Sequence, residues 1–120
     1  MARSTLVALG AVNAALAVAA GAFGAHGLRE RLDARSLEIF ETGARYHMYH
    51  ALAIVLCGVL ATRGATTAGW LFQAGIVVFS GSLYALSLSG VRVLGAITPL
   101  GGLAFLVGWG YLAWTSLRGS

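Results

Sequence analysis

Charged residues are scarce in this sequence, and their scarcity argues against a water-soluble fold. Only 10% of the 120 residues are charged and 58% are hydrophobic, whereas roughly a quarter of an average soluble domain is charged. A soluble domain of this size could not bury so much apolar surface. The apolar residues also form long runs separated by short polar breaks, as in helices whose solvent is lipid. We therefore predict an integral membrane protein.

Lysine is absent, and cysteine and proline occur once each. The net charge of +4 comes from arginine alone, and no basic cluster alternates with base-stacking aromatic residues, so we expect no nucleic-acid partner. The single Cys57 excludes an internal disulfide, and its apolar surroundings favour a small buried side chain. Pro99 follows Thr98 inside an apolar run and predicts a kinked helix, because proline removes one backbone hydrogen bond. We expect Thr98 or a facing side chain to satisfy the freed carbonyl.

Four apolar runs predict four membrane spans, since about 20 helical residues cross a hydrocarbon core of roughly 30 Å. Short connections between consecutive runs predict antiparallel neighbours. The predicted fold is an all-α membrane protein, in which residues 1–120 form one domain: an up-down bundle of four transmembrane helices. The predicted spans cover residues 5–25, 44–61, 70–88 and 94–117, approximately. The distribution of arginine does not decide which way the bundle faces.

The connector at residues 27–43 is the only sizeable polar segment. Asp33 is placed to cap a helix that starts at Ala34, and the following residues separate into an apolar and a polar face. The pattern predicts an amphipathic helix between the first two spans, either lying on the membrane or running straight into the second span. Gly43 is expected to mark a bend.

Polar side chains recur at helical spacing on the third span, as Gln73, Ser80, Tyr84 and Ser87. In lipid such groups need partners. This intramembrane stripe therefore predicts hydrogen bonds between helices or, alternatively, a polar conduit lined by an oligomer. Small residues form separate helix-packing faces around Asn13 on the first span and at Gly101 and Gly108 on the fourth.

A second group of polar residues lies around the start of the second span. Three histidines invite metal, haem or proton-relay interpretations, with His26 and His50 the only axial pair from different helices. No ligand spacing specific to a metal is present, so we predict no metal site, no cofactor and no catalytic residue. The structural alternative is that the histidines lie at the membrane interface and bond to neighbouring backbone or carboxylate groups. Two contacts are expected there: a His26–His50 hydrogen-bonded latch, and a partner for Arg45 from Glu41, Glu38 or water. The cluster comprises His26, Glu38, Glu41, Arg45, Tyr46, His47, Tyr49 and His50.

Four sequence motifs together identify a protein family more specifically than the hydropathy pattern does. They are GAFGAHGL at 21–28, FETGARYHMYHALAIV at 40–55, FSGSLYALSLSG at 79–90 and GAITPLGGLAFLVGW at 95–109. The chain resembles the YgdD and transmembrane protein 256 family, also called domain of unknown function 423, in order and over nearly its whole length. The resemblance implies a compact multi-span protein of the bacterial inner membrane or a related eukaryotic membrane. It assigns no catalytic residues.

The leading functional hypothesis is a structural or accessory membrane protein that binds lipid, itself or another membrane complex, because packing faces are present and catalytic motifs are not. The alternative is a small oligomeric transporter or channel with a polar path along the third span. A histidine-based metal or haem protein ranks third, and a membrane enzyme ranks last. The expected location is the cell (inner) membrane, crossed several times.

Overall fold

Four long helices make up almost all of residues 2–119, the part of the chain that the computed structural model describes. They are α1 (Ala2–His26), α2 (Ala34–Leu60), α3 (Arg63–Ser89) and α4 (Val93–Leu117). One π-helical turn, Ile76–Ser80, interrupts the α-helical hydrogen bonding of α3. The predicted all-α class is confirmed.

Hydrogen bonds from backbone N–H groups to the short side chains of Asp33 and Thr62 determine where α2 and α3 begin. The Asp33 carboxylate accepts a hydrogen bond from the Ser36 backbone N–H at 2.7 Å, as predicted, and α2 then continues through Gly43 to Leu60. The amphipathic segment and the second predicted span therefore belong to one 27-residue helix. At the other end of α2, Thr62 caps α3 by accepting from the Ala65 N–H at 3.0 Å. This cap starts α3 seven residues before Trp70, where the third span was predicted to begin.

The helices pack in chain order, each antiparallel to the next. α1 lies along α2, α2 along α3, and α3 along α4, whereas the described residues of α1 and α4 share no extended contact. The Cα extents of 49 × 26 × 18 Å accordingly describe a flattened layer of helices. Arg3 and Thr115 lie at one end of the layer, and the 27–33 connection lies at the other.

Glycine lets the helix backbones approach closely, as predicted for Gly101 and Gly108. A Cβ atom added at Gly101 would lie 2.7 Å from Cα of Phe79, and one added at Gly108 would lie 2.7 Å from the Phe72 ring. Gly58 of α2 is equally crowded by the backbone of Val7 in α1, at 2.9 Å. These contacts fix the antiparallel register of α3 with α4 and of α1 with α2.

Three helices are long and apolar enough to cross a membrane, counting the described residues: α1 from Arg3 to His26, α3 and α4. α2 is less apolar because its amino-terminal half carries four charged side chains, Arg35, Glu38, Glu41 and Arg45, and both buried histidines lie near its middle. Large apolar side chains cover the outer surface of the layer; Val12, Leu52 and Leu106 are respectively 58%, 57% and 70% exposed. Such a surface requires lipid as its solvent.

A buried histidine network and an aromatic groove

His47 connects three helices near the middle of the layer. Its Nδ1 lies 3.0 Å from the Tyr84 hydroxyl of α3, and its Nε2 lies 3.0 Å from Oδ1 of Asn13 in α1. The Asn13 amide nitrogen in turn donates to Oε1 of Gln73 at 2.7 Å and to the Leu9 carbonyl at 3.0 Å. Tyr84, His47, Asn13 and Gln73 therefore form one continuous hydrogen-bonded chain, which we call the His47 network.

The partners in this network fix its hydrogen positions. The amide nitrogen of Asn13 faces two oxygen acceptors, so Oδ1 is the atom that faces His47. Oδ1 can only accept, which places a hydrogen on Nε2 of the neutral His47 ring. Nδ1 then accepts from the Tyr84 hydroxyl. Both ring nitrogens are occupied, so neutral His47 has no lone pair free to bind a metal or to take up a substrate proton.

The remaining members of the predicted stripe are also hydrogen-bonded inside the chain. Ser80 donates to the Gly43 carbonyl of α2 at 2.7 Å, and Ser87 donates to the Tyr84 carbonyl of its own helix at 2.9 Å. Both serines are buried. Within the described chain, the stripe is therefore used mainly for contacts between helices, the first of its two predicted interpretations.

His50 belongs to a separate cluster, one turn further along α2. Its Nδ1 donates to the Tyr46 carbonyl at 2.8 Å, and its Nε2 accepts from the Trp109 indole N–H at 3.0 Å. The ring also stacks on Phe105, with centroids 3.5 Å apart and an interplanar angle of 5°. These contacts join α2 to α4 across α3, and they select the tautomer with hydrogen on Nδ1.

The predicted His26–His50 latch is wrong. His50 uses both nitrogens on Tyr46 and Trp109, whereas His26 is exposed at the end of α1. The same two bonds leave His50 no lone pair for haem iron. No group of three or more potential metal-ligating side chains occurs among the described residues.

The predicted buried ionic cluster is also not formed. Glu38, Glu41 and Arg45 are exposed on α2 and take no part in either histidine network. Tyr49 is 52% exposed, and Tyr46 contributes its carbonyl to His50 and its ring to Phe79, at a centroid distance of 5.1 Å. Of the eight predicted residues, the structure buries only His47 and His50.

Sequence reasoning missed two partners, Asn13 and Trp109. Asn13 was assigned to a small-residue packing face, and no partner was predicted for Trp109. One available signal was that Asn13 and Gln73 are the amides inside predicted spans, where polar side chains tend to hydrogen-bond with one another. No periodicity signalled the contact between Trp109 and His50, because it joins residues 59 positions apart.

Thr98 bonds to different groups from those expected. Its hydroxyl lies 2.5 Å from that of Ser82 and donates to the Leu94 carbonyl at 3.3 Å. The carbonyl freed by Pro99 is that of Gly95, four residues before the proline. The prediction that Thr98 serves the freed carbonyl is therefore wrong; Thr98 links α4 to α3.

A groove runs beside the His50 cluster, between α2 and α4. It encloses about 730 Å³, and its floor includes Phe79 of α3. Its walls are almost entirely apolar, because the polar atoms of His50 are turned toward Tyr46 and Trp109. We call it the aromatic groove; its lining comprises Tyr46, Tyr49, His50, Phe79, Pro99, Gly102, Leu103, Phe105, Leu106 and Trp109.

Known proteins share this sequence over most of its length. The family of proteins of unknown function DUF423 matches residues 20–102, which include His47, His50 and most of the groove lining. The chain belongs to DUF423. The match confirms the resemblance seen in the sequence.

Family relatives are named as membrane proteins. The UPF0382 membrane protein YwdK of Bacillus subtilis (strain 168) is 54% identical over 108 residues, covering 86% of this chain and 88% of the relative. A UPF0382 membrane protein of Staphylococcus epidermidis (strain ATCC 12228 / FDA PCI 1200) is 48% identical over 117 residues, covering 93% of this chain and 94% of the relative. No solved structure matches the chain. With its three apolar helices, this DUF423 member is an integral membrane protein.

Proposed function

We propose that this DUF423 member is a structural membrane protein of the cell (inner) membrane that crosses the bilayer four times and holds one lipid hydrocarbon chain in its aromatic groove. The fourth crossing is that of α2. α2 lies antiparallel to α1 from Phe40, near Gly24, to Gly58, near Arg3. A helix packed along a membrane-spanning neighbour over this length crosses the same thickness of membrane.

The aromatic groove is the observation that carries the lipid proposal. Its volume of about 730 Å³ lies in the range of small-ligand sites, roughly 300–1,000 Å³. A helix about 10 Å in diameter needs roughly 1,600 Å³ over a length of only 20 Å. A single hydrocarbon chain therefore suits the groove better than a transmembrane helix of a partner.

Internal use of the polar groups supports a structural role over the transport alternative. A conduit needs polar atoms that face a path, whereas Gln73, Ser80 and Tyr84 bond to α1 and α2. Both histidine rings are likewise engaged, which argues against redox or metal chemistry. The same bonds hold α1, α2 and α3 in a fixed arrangement, which preforms one side of the groove.

The proposal is tested by filling the groove. Gly102 lines it, and a Cβ atom added there would lie 3.8 Å from the Phe79 ring, so the side chain in Gly102→Leu would occupy the space of the lipid. We expect native mass spectrometry of detergent-purified protein to show one retained lipid for the wild type and none for this variant. Gly110→Leu is the matched control, because Gly110 is exposed on the same helix with open space around it. Equal lipid retention by both variants and the wild type would contradict the proposal.

A further inference from the structure

A second pocket lies at the end of the layer that carries the 27–33 connection. It encloses about 500 Å³ where the start of α2, the end of α3 and the residue before α4 meet. Arg35 and Arg92 both line it and both are exposed. Guanidinium groups bind phosphate oxygens in bidentate fashion. We call it the arginine pocket; its other lining residues are Asp33, Ser36, Ile39, Leu86 and Gly90.

The charge of this pocket favours an anion. Two arginines and one acidic residue, Asp33, line the pocket, which leaves an excess of one positive charge. Asp33 already accepts the Ser36 N–H at 2.7 Å, and this hydrogen bond lowers the pKa of its carboxyl group below the usual value. One carboxylate oxygen thus caps α2, and the single negative charge of Asp33 cannot neutralise both lining arginines.

The arginine pocket and the aromatic groove lie along the same three chain segments: α2, α3, and α4 together with Arg92, whose helical backbone precedes it. On α2, Ile39 lines the arginine pocket and Tyr46, seven residues later, lines the aromatic groove. Arg92 and Pro99 are related in the same way on the segment that leads into α4. On α3 the step from Leu86 to Phe79 is also seven residues, running in the opposite chain direction. Seven residues are two helical turns, so the two sites share a face and are offset by roughly 10 Å.

This offset of roughly 10 Å matches the distance from the headgroup layer of a bilayer to its upper hydrocarbon region. The headgroup layer on each side of the hydrocarbon core is roughly 5–8 Å thick. A charged pocket at the end of the helices and an apolar groove about 10 Å deeper therefore correspond to headgroup level and to the upper hydrocarbon. One molecule can occupy both sites if it carries a phosphate joined to a hydrocarbon chain.

We infer that the arginine pocket and the aromatic groove form one site for an anionic glycerophospholipid, with its phosphate between Arg35 and Arg92 and one acyl chain in the groove. The inference rests on the proposed function, because the acyl chain is the hydrocarbon proposed there. It adds the lipid class and the headgroup site. An anionic lipid is favoured over a zwitterionic one because the latter brings its own cation to a pocket that already has an excess of positive charge.

The test compares lipid selection by the full chain in nanodiscs of equal parts phosphatidylglycerol and phosphatidylethanolamine. Lipids retained after detergent extraction are counted by native mass spectrometry. We expect the wild type to retain phosphatidylglycerol preferentially. Arg35→Gln/Arg92→Gln should keep the number of bound lipids and lower the preference about fivefold for each arginine removed. Arg29→Gln/Arg31→Gln is the matched control, because it removes the same charge from the adjoining connection outside the pocket.

The outcomes separate the two proposals. The headgroup site is overturned if the wild type retains lipid without preferring phosphatidylglycerol. It is also overturned if Arg35→Gln/Arg92→Gln and Arg29→Gln/Arg31→Gln lose that preference equally. Either result leaves the proposed hydrocarbon site in the groove unaffected. Loss of the lipid in Gly110→Leu as well as in Gly102→Leu, or no retained lipid in the wild type, overturns the groove itself. Glycerol 3-phosphate serves as a soluble competitor. If it removes the preference at millimolar concentration, the pocket is a site for free phosphate esters and the lipid assignment is overturned.

Discussion

The two buried histidines lie one helical turn apart on α2, yet each connects a different set of helices. His47 joins α2 to α1 and α3 through Asn13 and Tyr84, whereas His50 joins α2 to α4 through Trp109. The Trp109 indole N–H can only donate, so Nε2 of His50 carries no hydrogen and the His50 ring is neutral. The described side chains contain no buried nitrogen or oxygen atom without a hydrogen-bond partner. The hydrogen-bonding capacity of the described buried side chains is thus satisfied within the protein.

Removing one hydroxyl tests the His47 network. Tyr84→Phe deletes the donor to Nδ1 of His47 and leaves the ring packing against Phe40, at a centroid distance of 4.9 Å, essentially intact. We expect the free energy of unfolding in detergent to fall by about 0.5–2 kcal/mol, the range for hydrogen bonds between membrane helices. Tyr111→Phe is the control, since Tyr111 lies on α4 outside the network. Equal effects of the two changes would mean that the network contributes no stability.

Glycine contacts determine how the helices pack against each other. The π-helical turn of α3 lies between two neighbours: Phe79 packs against Gly101 of α4, and Ser80 bonds to the Gly43 carbonyl of α2. The first contact is between backbone atoms, and in the second the Ser80 hydroxyl donates to a backbone carbonyl, so the turn has little room to shift. Without a hydrophobic driving force between helices in lipid, close backbone packing of this kind supplies much of the association energy.

Gly101 and Gly110 give a matched pair for testing this contact. A methyl group at Gly101 would lie 2.7 Å from Cα of Phe79, whereas nothing lies within 4 Å of one at Gly110. Gly101→Ala should therefore destabilise the protein by about 1–3 kcal/mol through overpacking. Gly110→Ala should be neutral or stabilise by up to about 1 kcal/mol, because alanine favours the helix. Thermal unfolding in detergent measures both; a stabilised Gly101→Ala would show that α3 and α4 do not meet there.

At the scale of the whole molecule, the four helices form a flattened layer in which α1 and α4 occupy opposite edges. α2 has contacts on both sides and a less apolar amino-terminal half than the other helices. Its Arg45 is exposed two residues beyond the polar 27–43 segment, so the long Arg45 side chain can reach the headgroups if α2 crosses the bilayer. The number of crossings depends on how α2 lies relative to the membrane.

The proposed four crossings place Ser4 and Ser116 on the same side of the membrane. We expect single cysteines at Ser4→Cys and Ser116→Cys to react with an impermeant maleimide from one side of oriented vesicles, and Glu30→Cys to react from the other. The native Cys57 serves as the internal control, because it is fully buried and should stay unlabelled. Labelling of Ser4→Cys and Ser116→Cys from opposite sides would indicate three crossings, with α2 lying outside the bilayer core.

The sequence alone determined the membrane character, the all-α class, the Asp33 cap and the packing role of Gly101 and Gly108. Each follows from local composition, spacing or backbone chemistry, which a single chain displays directly. The start of α3 was misplaced because Thr62 caps it in a segment whose composition resembles a loop.

Only the tertiary structure decided which polar groups meet. Asn13 reaches Gln73 across 60 positions, and Trp109 reaches His50 across 59; helical periodicity assigns residues to a face but not to a partner. The His26–His50 latch failed for this reason, since shared depth in the membrane does not establish proximity. The aromatic groove likewise exists only because α2 and α4 meet over α3, an arrangement set by close contact between helices that no single helix encodes.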